Sequence, residues 1–87
     1  MTHATWFRGR TSTGLGAAVR ELREAAGETQ AEFAAAIGSS RATVSRLERG
    51  EAVTSDVLLH ALARLHFELA VIPRGSRLRV EDADAPR

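Results

Sequence analysis

Residues 29–50 read TQAEFAAAIGSSRATVSRLERG, and the fold of the whole chain turns on this stretch. Thr29 carries the side chain of a helix N-cap, and Glu32 three residues later completes a capping box. Phe33, Ala34 and Ile37 then recur at helical spacing and define an inward face. Gly38 is placed to stop that helix, because glycine enters the left-handed region without a Cβ clash. Ser39 or Ser40 caps a second helix, and Gly50 follows its last residue, where a terminating glycine belongs. The stretch therefore predicts two short helices joined by a tight turn.

The second of these helices sorts its side chains sharply. At about 100° per residue, Val44, Leu47 and Glu48 point to one side. Arg41, Ala42, Ser45, Arg46 and Arg49 point to the other. One face is apolar apart from a single carboxylate. The other carries three arginines, a hydroxyl and a small residue. An ordinary amphipathic surface helix would also satisfy this pattern, so the neighbouring sequence has to separate the two readings.

Upstream, Leu15, Val19, Leu22 and Ala26 repeat at helical spacing and predict a first helix over 15–26, ended by Gly27. Arg20, Glu21 and Glu24 read as its solvated face, and Arg23 lies at the edge of its apolar stripe. Downstream, Thr54 or Ser55 caps a further helix with Asp56 in its first turn, where a negative charge suits the dipole. Val57, Leu58, Leu59, Ala61, Leu62 and Leu65 make that helix broadly apolar, so it belongs at the centre of the domain or at a subunit interface.

The period changes after His66. Phe67-Glu68-Leu69-Ala70-Val71-Ile72 alternates, and Pro73 ends the run, which predicts a strand. A strand needs a neighbour to supply its ladder. One choice is a hairpin with Arg77-Leu78-Arg79-Val80; the other is the same strand of a second copy, antiparallel across a two-fold axis. The expected organisation is an N-terminal arm over 1–12, a helical domain over 13–66, a dimerisation strand over 67–73 and a flexible tail over 74–87. Trp6 and Phe7 stand out in the arm, and an aromatic pair at a terminus more often packs back on its own domain than docks a partner.

Composition narrows the function classes. The chain has 87 residues, a net charge of +1 and no cysteine, with a sequence pI near 9.0. One small domain of this length buries a limited core, so a partner subunit would help to stabilise it. Without cysteine there is no disulfide framework and no thiolate metal site. His60 and His66 have no Asp, Glu or His at ligand spacing, so no metal is expected. No G-x-S-x-G, no glycine-rich phosphate loop after a strand and no paired carboxylates are present, which points away from an enzyme and from any cofactor. No apolar run approaches the ~20 residues of a membrane span, and the expected location is the cytoplasm, at the nucleoid. All twelve basic residues are arginine, the better bidentate ligand for guanine and phosphate.

The arrangement TQAEFAAAIG–SSRATVSRLERG resembles the helix-turn-helix of the phage-repressor and Cro group, the XRE-type family, over about Leu15 to Leu65. The segment ARLHFELAVIPR after the last helix looks like the HipB-type antitoxins. The resemblance implies a mainly α fold, a helix-turn-helix bundle of four to five helices with a C-terminal strand that pairs across a homodimer through Phe67, Leu69, Val71 and Ile72. It implies a sequence-specific repressor of a palindromic operator in double-stranded DNA, either an antitoxin holding a HipA-type kinase toxin or a stand-alone XRE-type regulator. The Trp6-Phe7 arm and the acidic last residues depart from the pattern.

The resemblance also implies the site. Arg41, Ala42 and Arg46 match positions that contact bases in those repressors, with Ser45 between them. Thr29, Gln30, Ser39, Ser40, Thr43 and Arg49 are the phosphate candidates, Gln30 through a clamp at the start of its helix. Glu48 shares its face with Val44 and Leu47, and a buried unpaired carboxylate is costly. Arg23 is the cation best placed to meet it, and an equivalent pair ties these helices together in the resembling repressors.

Overall fold

The structure is a computed structural model that describes residues 6–81. Four helices follow in order: α1 (Ser12–Ala25), α2 (Gln30–Ala36), α3 (Arg41–Glu48) and α4 (Ser55–Arg64). Each begins in the same way. Thr11, Thr29, Ser40 and Thr54 hold extended backbone, and each hydroxyl accepts the N–H three residues on, which satisfies one of the donors a helix start leaves open. At α2 the reciprocal bond is also made, Thr29 N–H to Glu32 Oε1 at 2.9 Å.

Each helix also ends in the same way. The N–H groups of Gly27 and Glu28, Gly38 and Ser39, Gly50 and Glu51, and His66 and Phe67 fold back onto carbonyls of the last turn, the paired bonds of a Schellman motif. The pivot residue needs positive φ. Glycine supplies it three times, at 77°, 68° and 79°; at the end of α4 His66 takes it, at φ 63°. A residue with a Cβ pays roughly 1–2 kcal/mol for that conformation. His66 is exposed, so its side chain gains little in return. His66→Gly should raise the melting temperature by about 4–8 °C, the equivalent of ~1 kcal/mol in a domain of this size. A calorimetric scan showing no gain, or a loss, would mean that the imidazole makes a compensating contact.

The core is Val19, Phe33, Ala34, Val44, Leu47, Ala61 and Leu62, with Ile37, Val53, Val57, Leu58, Leu65 and Phe67 packed against it. The first helix starts at Ser12, three residues before the apolar repeat becomes visible. Gly14 and Gly16 hide that first turn from a periodicity reading, because glycine is a poor helix former. Gly16 is buried, and a Cβ built on it would lie 2.3 Å from the carbonyl oxygen of Leu47 and 2.8 Å from that of Glu48. Gly50 has the matching constraint, with a Cβ 2.7 Å from the Cα of Thr13. Two glycines therefore let the start of α1 lie directly on the end of α3.

The expected strand over 67–73 is not there: among the described residues the fold is four helices with no strand. Within the chain, the hairpin with 77–80 is reduced to a turn, Ser76 N–H to the Pro73 carbonyl at 3.2 Å. The alternation also fails to define one buried face. Phe67 turns inward against the core and against the Phe7 ring, centroids 6.4 Å apart. Val71, on the same predicted face, is 93% exposed, and Leu69 is 53% exposed. Alternating hydrophobicity reports which side chains could share a face; it does not provide the backbone partner that a ladder requires. The Phe7–Phe67 contact and a bond from Arg8 to the Ser76 carbonyl at 3.4 Å bring part of the N-terminal arm against this segment. Residues 1–5, the start of the arm with His3, and 82–87, the acidic end of the expected tail, lie outside the described residues.

Candidate nucleic-acid interface

The site is built from α3 outward. Val44, Leu47 and Glu48 are buried, and Arg41, Ala42, Arg46 and Arg49 are exposed, with Thr43 and Ser45 half-buried. The inner face is fixed by a polar cluster. Arg23 Nε donates to Glu48 Oε2 at 2.6 Å and Nη2 donates to Glu48 Oε1 at 3.0 Å, a two-pronged pair between α1 and α3. Arg23 Nη1 donates to the Glu28 carbonyl at 2.6 Å, and Gln30 Nε2 donates to Glu48 Oε1 at 3.0 Å. One carboxylate thus ties α3 to α1 and to the start of α2. Among the described residues no buried side-chain polar atom lacks a partner.

Burial pushes the Glu48 carboxyl up, but the bonds from Arg23 and Gln30 together outweigh it and hold the group below the ordinary carboxylate value. The same contact with Glu48 raises Arg23. A second tie, from Arg64 at the end of α4 to Glu28 (Nε to Oε1 at 3.3 Å), fastens the α1–α2 turn and lowers the Glu28 carboxyl.

The residues nominated for DNA contact fall into two groups. Arg41 and Ala42 open α3 and face outward, and the Arg41 guanidinium has no protein partner among the described residues. Arg46 also faces outward, with Nη2 donating to the Ala52 carbonyl at 2.8 Å. The others are engaged within the protein. Thr29 and Ser40 act as caps, and Ser40 Oγ also donates to Thr43 Oγ1 at 2.9 Å. The Gln30 amide turns inward to Glu48, away from the phosphate clamp expected of it. Arg49 Nε donates to Glu51 Oε2 at 2.7 Å, and its Nη1 donates to Ser45 Oγ. Ser39 is half-buried.

An open groove of about 410 Å³ runs between α1, the start of α2 and α3, lined by Arg20, Arg23, Gln30, Ser45, Glu48 and Arg49. Arg20, whose position reads as part of the solvated face of α1, lines this groove. It stands three positions before Arg23, hence on the same side of α1, and that spacing was the available signal. It pairs with Glu24 at 3.2 Å. No group of His, Asp or Glu able to hold a metal ion occurs among the described residues, and none of their helices is long and apolar enough to cross a membrane.

No curated protein matches this chain. Among solved structures it is similar to the clp gene regulator ClgR from Corynebacterium glutamicum, with 36% identity and a TM-score of 0.60. The match covers 66% of this chain and 62% of that one, so the chain spans less than two thirds of its neighbour's length. The family model described as "Helix-turn-helix domain" matches residues 14–67, a span that contains all four capped ends of α2 and α3 and the Arg23–Glu48 tie. On that match the chain belongs to the helix-turn-helix domain family.

Proposed function

We propose that this chain is a sequence-specific, DNA-binding transcription regulator and that α3 is its reading helix. One observation carries the proposal. The inner face of α3 is locked to both neighbouring helices through Glu48, while Arg41, Ala42 and Arg46 are exposed on its outer face, Arg46 with one arm on the Ala52 carbonyl. A rigid scaffold that presents arginines from the start of a helix suits entry into the major groove. In this reading Arg41 and Arg46 fork onto guanine, Ala42 meets a thymine methyl and Ser45 lies between them. Thr29, Gln30, Ser39, Ser40, Thr43 and Arg49 flank the phosphates, with Gln30 presenting its backbone N–H while its amide stays on Glu48. The similarity to a gene regulator supports the same class of function.

Base and phosphate contacts separate by experiment. Arg46→Ala should cost about 1–3 kcal/mol of operator affinity and relax preference at one base pair. Arg49→Ala should weaken every operator variant alike and flatten the salt dependence. Footprinting on the DNA upstream of the gene, followed by titration of operator variants, measures both. Unchanged affinity and base preference for Arg46→Ala would remove α3 as the reading head.

The proposal includes action in the cytoplasm as a homodimeric repressor of a palindromic operator, since a two-fold protein matches a two-fold site. The supporting feature is apolar surface: Leu59, Leu69, Val71 and Ile72 are all exposed, and such side chains gain from cover. Sedimentation of wild type and of Leu69→Asp tests the association. The antitoxin reading was motivated by the C-terminal strand; without it, nothing distinguishes a toxin-holding protein from a stand-alone regulator, and the stand-alone one is proposed. Co-purification with a kinase encoded next to the gene would reverse that choice.

A further inference from the structure

The proposed DNA face carries one acidic residue among its arginines. Glu51 is the first residue past Gly50, and its backbone is not free to wander: its N–H closes the end of α3 on the Arg46 carbonyl at 2.9 Å. From there the carboxylate reaches Arg49, Nε to Oε2 at 2.7 Å, while the other arm of the guanidinium donates to Ser45 Oγ. Arg49 and Glu51 are both about half exposed, at 56% and 52%, so attraction between charges, not packing, holds them together. Arg49 lowers the Glu51 carboxyl through this bond and its charge, and the charge of Arg46 adds to the effect.

A carboxylate and a phosphate offer an arginine the same thing, anionic oxygens in a plane or fork. We propose that Glu51 is an internal competitor for DNA phosphate: it occupies Arg49 in the free protein and must be displaced before Arg49 can neutralise the backbone. This rests on the reading of α3 given above. Displacement leaves a bare carboxylate facing a polyanion, so the penalty applies to every DNA sequence alike. Glu51 therefore lowers affinity for every duplex, and leaves base preference to Arg41 and Arg46.

The test is a double-mutant cycle with two duplexes, the footprinted operator and one of unrelated sequence, titrated over a range of salt. Glu51→Gln should tighten binding to both by about three- to tenfold at low salt, with the gain shrinking as salt rises. In an Arg49→Ala background the same change should have less than half that effect. An unchanged affinity, or an equal gain with and without Arg49, overturns the proposal; the latter would mark simple repulsion. A second arm does not depend on DNA. By carboxyl NMR of the free protein, Glu51 should titrate below an ordinary glutamate and move back up in Arg49→Ala. Identical titration in the two proteins overturns the contact itself. Wild type that binds neither duplex would instead refute the DNA reading, and the NMR arm would still decide the contact.

Discussion

Glu48→Ala should destabilise the protein by about 3–5 kcal/mol, the range for removing one partner of a buried ion pair. The side chains of Arg23 and Glu48 are only 8% and 3% exposed. Removing the carboxylate leaves the Arg23 guanidinium buried, with only the Glu28 carbonyl and the more distant Glu24 carboxylate near it. It also strands the Gln30 amide. Arg23→Ala leaves the complementary charge, so it should cost a similar amount, and the double variant much less than the sum, since each single change already breaks the pair. Glu21, exposed on α1, is the control, and Glu21→Ala should stay within about 0.5 kcal/mol. Chemical denaturation of the four variants measures all of this. Equal, small effects for Glu48→Ala and Glu21→Ala would show that the cluster does not hold the helices.

The same cluster sets a pH dependence. The folded carboxyl of Glu48 lies below its ordinary value because the bonds from Arg23 and Gln30 outweigh the cost of burial. The unfolded chain therefore takes up a proton at a higher pH than the folded one. The stabilisation is complete above the unfolded glutamate value, near pH ~4.3, and is lost as pH falls through the lower folded value. Melting temperature should drop on acidification below about pH 4, and drop less steeply in Glu48→Gln. Arg23 does not titrate in this window, so the slope belongs to carboxylates.

How much of this was legible in the sequence depends on the range of the interaction. The caps and stops of α2 and α3 are local chemistry: Thr29 with Glu32, Gly38, Ser40 and Gly50 each act on backbone within a few residues, and the structure has them so. The burial of Val44, Leu47 and Glu48 follows from period alone. The Gln30–Glu48 bond is not legible, because only the fold brings the Glu48 carboxylate within 3.0 Å of the Gln30 amide. The segment after His66 failed for a different reason. Its alternation is real, but a ladder is a property of two segments, and one sequence pattern cannot supply the second. The Glu51–Arg49 pair is local, since an acid two residues from Arg49 is within side-chain reach.

Gly16 gives the sharpest contrast between local and tertiary physics. On helix propensity alone, Gly→Ala inside a helix should stabilise by up to about 1 kcal/mol. Here the added methyl would sit 2.3 Å from the Leu47 carbonyl oxygen, a backbone atom that already accepts the N–H of Gly50 at 3.0 Å. It cannot rotate away as a side chain would. Relief requires α1 and α3 to separate, which loosens the packing of Val19 and lengthens the Arg23–Glu48 bonds on the same face of α1. Overpacking against a fixed wall costs about 1–3 kcal/mol and more where a second interaction is strained with it. Gly16→Ala should therefore lower the melting temperature by about 4–20 °C in a domain of this size. Gly14→Ala is the companion, since its methyl meets only the Thr11 hydroxyl, at 3.2 Å, and its effect should be small. Because α3 is what moves, Gly16→Ala should also weaken operator binding at temperatures where the protein is still folded. A Gly16→Ala protein as stable as wild type would mean that α1 does not lie on the end of α3, and the geometry that presents Arg41 and Arg46 would have to be rebuilt.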